Sequence, residues 1–120
     1  MESQFNDSRE KLKQELIRKI GPWAFQSFPK EKWHAAPDHI IIEGALLRAK
    51  PEDKLKLLHI FNLDQIKAVW QEHVVIQDDW FHDANLWAAK HIFNAQEPEK
   101  FVKLHYRKFH KLHMEGKLSF

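Results

Sequence analysis

Nine histidines and seventeen Asp and Glu side chains among 120 residues supply the raw material for metal binding or proton transfer. The densest candidates are Asp79, His82 and Asp83, followed by His110 and His113 near the end of the chain. Spacings of three and four would put such ligands on one helix face, as a helical metal site requires. Three observations argue against that chemistry. There is no His-Glu-x-x-His, no independently placed third ligand motif, and Asp78 to Asp83 also reads as the acidic start of a capped helix. Cysteine is absent, which excludes disulfides, thiol nucleophiles and thiolate zinc sites together. No metal ligand is assigned and no cofactor is expected.

Acid–base catalysis would need titratable groups converging in a pocket. Glu72, His73, Asp78 and Asp79 are neighbours in sequence only. The three glycines stand apart at 21, 44 and 116, so no glycine-rich phosphate loop exists. Ser3, Ser8, Ser27 and Ser119 lie outside any nucleophile motif. His91 and His105 fall within apolar stripes, where a histidine is ordinarily a core residue with one satisfied nitrogen. No catalytic residue is assigned.

Two features suit recognition better than reaction. Between Pro22 and Pro37, three prolines forbid a long helix, yet Trp23, Phe25, Phe28 and Trp33 are too apolar for a solvated linker. The segment is expected to strap across a helical core; the alternative is a partner-binding arm with aromatic anchors. Farther on, Lys100, Lys103, Arg107 and Lys111 form a basic row at spacings of three and four. It reads as a solvated helix face or as the contact for an acidic partner, nucleic acid included.

The elements that must position these residues are helical. Asp7-Ser-Arg-Glu10 fits a capping box, Leu12, Leu16, Ile17 and Ile20 share one face, and Gly21-Pro22 supplies a stop, predicting a first helix over 7–20. The aromatic strap spans 22–37. Core helices fill 37–93, with breaks near Lys50-Pro51 and Phe61-Asn62. A central helix at about 79–93 carries Trp80, Ala84, Trp87, Ala88, His91 and Ile92 on one stripe, with Leu86 and Phe93 nearly opposite, so it is expected to be covered on two sides. The amphipathic basic C-terminal helix runs over 98–115, from Pro98 to a stop at Gly116. The expectation is an all-α, single-domain helical bundle of five to seven helices; a chain of 120 residues suits one domain.

From Trp33 to Phe93 the order of features resembles a family of small bacterial proteins encoded beside nucleotidyltransferase-type toxins of abortive-infection systems. The resemblance rests on Trp33, Asp38-His-Ile-Ile-Ile-Glu-Gly-Ala-Leu-Leu, Pro51-Glu-Asp-Lys-Leu-Lys-Leu-Leu, Phe61-Asn-Leu-Asp-Gln-Ile-Lys-Ala-Val-Trp, and Trp80 through Ala88-Ala-Lys-His-Ile-Phe93. Gly44 stands where members tend to carry arginine, and Phe61-Asn62 where they carry Tyr-Gly. The resemblance implies an antitoxin-like partner role and no catalytic residue.

A formal net charge of +2 is too small to mark a nucleic-acid binder by itself. No apolar run approaches the ~20 residues of a membrane span and no signal peptide is visible, so no membrane role and a cytoplasmic location are expected. The expected function is therefore a non-catalytic, protein-binding or regulatory helical domain, its partner a toxin or a second copy of itself. Nucleic-acid binding through the last helix is the alternative, and a histidine–carboxylate metalloprotein the third reading.

Overall fold

The computed structural model describes residues 2–117, with side chains from Ser8 onward. Every regular element is helical and no strand occurs among the described residues, as an all-α bundle requires. The chain clusters into two compact units, Met1–Leu63 and Asp64–Phe120. No helix among the described residues is long and apolar enough to cross a membrane.

In the first unit, α1 spans Glu2–Ala24, followed by a 3-10 turn over Lys30–Ala35 and helices α2 (Asp38–Arg48), α3 (Pro51–Leu55) and α4 (Leu57–Ile60). The expected boundaries of α1 are both corrected. It starts ahead of the Asp7 cap, whose side chain lies outside the described residues, and it continues through Gly21-Pro22 with the proline inside the helix. Proline removes one N–H from the ladder, but the Phe25 N–H still reaches the Gly21 carbonyl at 2.9 Å. Burying Phe25 completely favours carrying the helix on past the proline.

Both glycines of this unit are seats for neighbours. A Cβ at Gly21 would collide with the Trp33 ring, so this glycine admits the tryptophan rather than ending the helix. A Cβ at Gly44 would lie 2.6 Å from the Ala24 Cβ, so α1 and α2 approach where neither has bulk. Leu16, Ile17, Ile20, Ile41, Ile42, Leu46 and Leu57 close the core. At its edge the buried Asp53 carboxylate accepts bonds from Lys19 (3.0 Å) and Lys56 (3.1 Å). Burial alone would raise this carboxyl; the two lysines outweigh it and hold Asp53 below the ordinary carboxylate value.

The second unit takes in all but the first residue of α5 (Leu63–Val69), a π-turn over Trp70–Val74, a 3-10 turn over Val75–Gln77, α6 (Asp78–His91) and α7 (Pro98–Met114). Its core is built on Trp70, which is fully buried. The Trp70 ring lies 5.1 Å from Phe93, 5.5 Å from Phe101 and edge-on to His105 at 5.4 Å. Of the expected stripe, Ala88 and the following Ile92 are buried and Ala84 and Trp87 half-buried, with Asn85 and Ala89 buried beside them. Leu86 and Phe93 on the expected second side are half-buried; Trp80 and His91 are exposed. Trp80 leaves the stripe because Phe81, directly after it, departs from helical geometry at φ −131°, ψ 36°. Residues on either side of that break no longer share a rotational phase.

α7 closes as its sequence predicts. Gly116 takes φ +69°, and the Lys117 N–H returns to the Leu112 carbonyl at 2.9 Å, the bond of a Schellman stop.

Candidate functional site

The start of α6 is held by a chain of polar contacts that begins in the core. The Trp70 indole N–H donates to Asn85 Oδ1 at 2.9 Å. Asn85, itself fully buried, donates through Nδ2 to Asp78 Oδ1 at 2.9 Å. Asp78 in turn accepts from His82 Nδ1 at 3.0 Å. The hydrogen bond to Asp78 holds the His82 imidazole above its ordinary pKa, with smaller help from the charges of Asp78 and Glu99. On the other side of the ring, Nε2 lies 3.5 Å from a Glu99 carboxylate oxygen on α7. A rigid ladder thus runs from a buried tryptophan to an exposed histidine, spanning the first two turns of α6.

Trp80 stands on those turns and is 86% exposed. Asp79 and Asp83 beside it are exposed as well, so the side chains form an acidic aromatic knob. The sequence places Trp80 in the core; it is the functional candidate that sequence reasoning misses. The Asp78–His82–Asn85 spacing of four and three offers a signal for the ladder, but nothing local shows that Asn85 would pair with Trp70.

The basic row lies at the surface of α7. Lys100, Lys103, Arg107 and Lys111 are all exposed along α7. In their midst Leu104 is 68% exposed, and one turn past Lys111 Met114 is 72% exposed. Lys100 pairs with Glu97 at 3.2 Å. Val102 is the buried residue of the inner face, and Phe101, His105 and Phe109 are half-buried along it. His105 Nδ1 lies 3.4 Å from the Gln71 side-chain amide nitrogen. Burial first, then the charges of Lys67 and Lys108, keep it below its ordinary pKa.

A surface hollow of about 430 Å³ lies beside the ladder, walled by Asp78, His82, Glu99, Lys100, Lys103 and Tyr106. An aspartate on Nδ1 is how an imidazole is oriented for proton transfer, yet no serine, threonine or cysteine lines these walls. Among the described residues no three His, Asp or Glu groups converge as metal ligands. His82 spends Nδ1 on Asp78 rather than joining Asp79 and Asp83 around a common point.

In the first unit the four aromatic candidates divide. Phe25 is wholly buried and Trp33 half-buried, its indole N–H donating to the Phe28 carbonyl at 3.2 Å. Trp23 is 52% and Phe28 44% exposed. The expected strap is therefore half core and half surface. Trp23 also borders a shallow hollow with Lys19, Lys50 and Asp53.

Against protein families, curated proteins and solved structures, the chain shows no match.

Proposed function

We propose that this chain is a non-catalytic, protein-binding domain of regulatory, antitoxin-like type. The observation that carries the reading is Trp80, an indole 86% exposed on a turn whose neighbours are pinned to the core. Leaving so large an apolar side chain in water forgoes burial worth about 2–3 kcal/mol. A partner recovers it, and tryptophan is among the residues that dominate interface energetics. Pinning matters because a preorganised anchor loses little further entropy when it docks. Trp23 and Phe28 give the first unit its own smaller apolar exposure.

The resemblance to toxin-adjacent proteins supports a protein, rather than a metabolite, as the partner. Nucleic acid is less favoured. Asp64–Phe120 holds eight acidic and eight basic side chains, so the row on α7 is a separation of charge and not an excess.

The test is co-expression with the product of the gene adjacent to this one, with tagged wild type and a Trp80→Ser variant compared. Wild type is expected to co-purify the neighbour and the variant to lose it while keeping its melting temperature. A partner retained equally by Trp80→Ser and by Trp23→Ser would show that the exposed indoles do not mediate binding, and would end this reading.

A further inference from the structure

We infer that the occupant of the α7 face is a second copy of this chain, presented through its Trp80 knob. The inference rests on the protein-binding reading above, in which Trp80 is an interface anchor, and adds a self-contact to it.

The argument is complementarity within one sequence. The knob carries one aromatic between two carboxylates, Asp79 and Asp83. The α7 face carries the inverse: exposed Leu104 has Arg107 and Lys108 three and four residues on, at helical neighbour spacings, with exposed Lys103 before it and Lys111 a turn farther. Among the described residues, Asp79, Asp83, Lys103, Arg107 and Lys111 enter no ion pair of their own. Both halves are thus charged and apolar at once and of opposite sign. A polyanion such as RNA would satisfy the cations but leave Leu104, Met114 and the acidic knob in water. An indole flanked by carboxylates satisfies both parts of the face, and Arg107 can also lie over the indole ring.

Because knob and face are different surfaces, the contact is heterologous: the knob of one copy meets the face of the next. The contact is small, below the ~1,200 Å² of a standard specific interface, so association is expected on the order of 10 µM and salt-sensitive.

Sedimentation of the full chain at about 1–100 µM (roughly ten-fold below to ten-fold above that value) in low and high salt reads the claim directly. Wild type is expected to show a mass above 14.4 kDa that rises with concentration and falls with salt. Trp80→Ala and Leu104→Ser are surface changes that spare the fold, and each should weaken association about 30-fold, the loss of one interface anchor. Two charge-reversed chains sharpen it: Asp79→Lys with Asp83→Lys, and Lys103→Glu with Arg107→Glu. Each should be monomeric alone, and their mixture should associate again, since one carries a basic knob and the other an acidic face. Wild type monomeric throughout the range overturns the inference, as does association unchanged in Trp80→Ala or a mixture that stays monomeric. Neither result touches the protein-binding reading, which fails only if the neighbour's product is bound without the indoles.

Discussion

The two compact units are both helical but solve burial differently. Met1–Leu63 packs an aliphatic core and brings helices together at glycines: Gly44 faces Ala24 and Gly21 faces Trp33. Asp64–Phe120 packs around one tryptophan and carries a buried asparagine beside it. Aliphatic cores with small-residue contacts constrain distance between helices. An indole bonded to a buried amide constrains rotation as well, because each donor needs its acceptor at about 3 Å and in line. The second arrangement fixes which way the start of α6 points, and that is where Trp80 is displayed. Position in the first unit and orientation in the second are the two properties to perturb.

The largest effect should come from the indole. Trp70→Ala is expected to cost about 3–5 kcal/mol, since it removes the largest buried ring and leaves a cavity. Trp70→Phe keeps most of the packing but strands the Asn85 oxygen, for about 1–3 kcal/mol. Urea unfolding of both variants separates the two contributions. If Trp70→Phe matches wild type, the bond does not orient α6 and the contrast between the units dissolves.

Gly44→Ala probes the first unit, and two effects compete there. Helix propensity favours alanine by about 1 kcal/mol. The new methyl would sit 2.6 Å from the Ala24 Cβ, and overpacking of that kind costs about 1–3 kcal/mol. Net destabilisation is expected, read as a lower melting temperature. A stabilised variant would mean that α1 and α2 can part without loss.

How much of this was legible in the sequence depended on how local the deciding contact is. The limits of α7 were readable because Pro98 and Gly116 act through their own backbone. The basic row was readable because a solvated face needs no partner to define it. Gly21-Pro22 misled because its meaning lies with the Trp33 ring and the buried Phe25, which no local rule reports. The α6 stripe misled for a geometric reason. Each helical residue advances about 100°, so the break at Phe81 takes Trp80 out of phase with the residues that follow it. Helical phase puts Trp80 in the core, although it is the most exposed large apolar side chain among the described residues. The all-α class survived these errors because it depends on periodicity and not on phase.

A further effect, tied to pH, comes from Asp53. Asp53→Asn leaves the amide among Lys19 and Lys56 without a charge to attract them, a loss of about 1–3 kcal/mol at neutral pH. The depressed carboxyl also sets a sign. Its stabilisation is present above the unfolded carboxylate value of about 4 and is lost as pH falls through the lower folded value. Acid titration of the melting temperature should therefore be shallower below pH ~4 in the asparagine variant than in wild type. Equal slopes would mean that the lysine contacts contribute nothing in solution.

The smallest prediction belongs to the second unit and turns on two histidines shifted in opposite directions. His82, raised by its bond to Asp78, binds a proton more tightly folded than unfolded, so its contribution is complete below about pH 6.5 and fades as pH rises through the folded value. His105, lowered first by burial, behaves inversely: the unfolded chain takes up the proton first, and stability falls as pH drops below about 6.5. Together they should give a shallow stability maximum near that pH. His82 is almost half exposed, so salt should flatten the alkaline side preferentially. Hydrogen exchange across α6 and α7 between pH 5 and 8 reads both limbs. His82→Gln should erase the decline above 6.5 and leave the acid side intact, whereas His105→Gln should do the reverse. If one substitution removes both limbs, the histidines act through a single coupled network and the separation between the ladder and the inner face of α7 is not real.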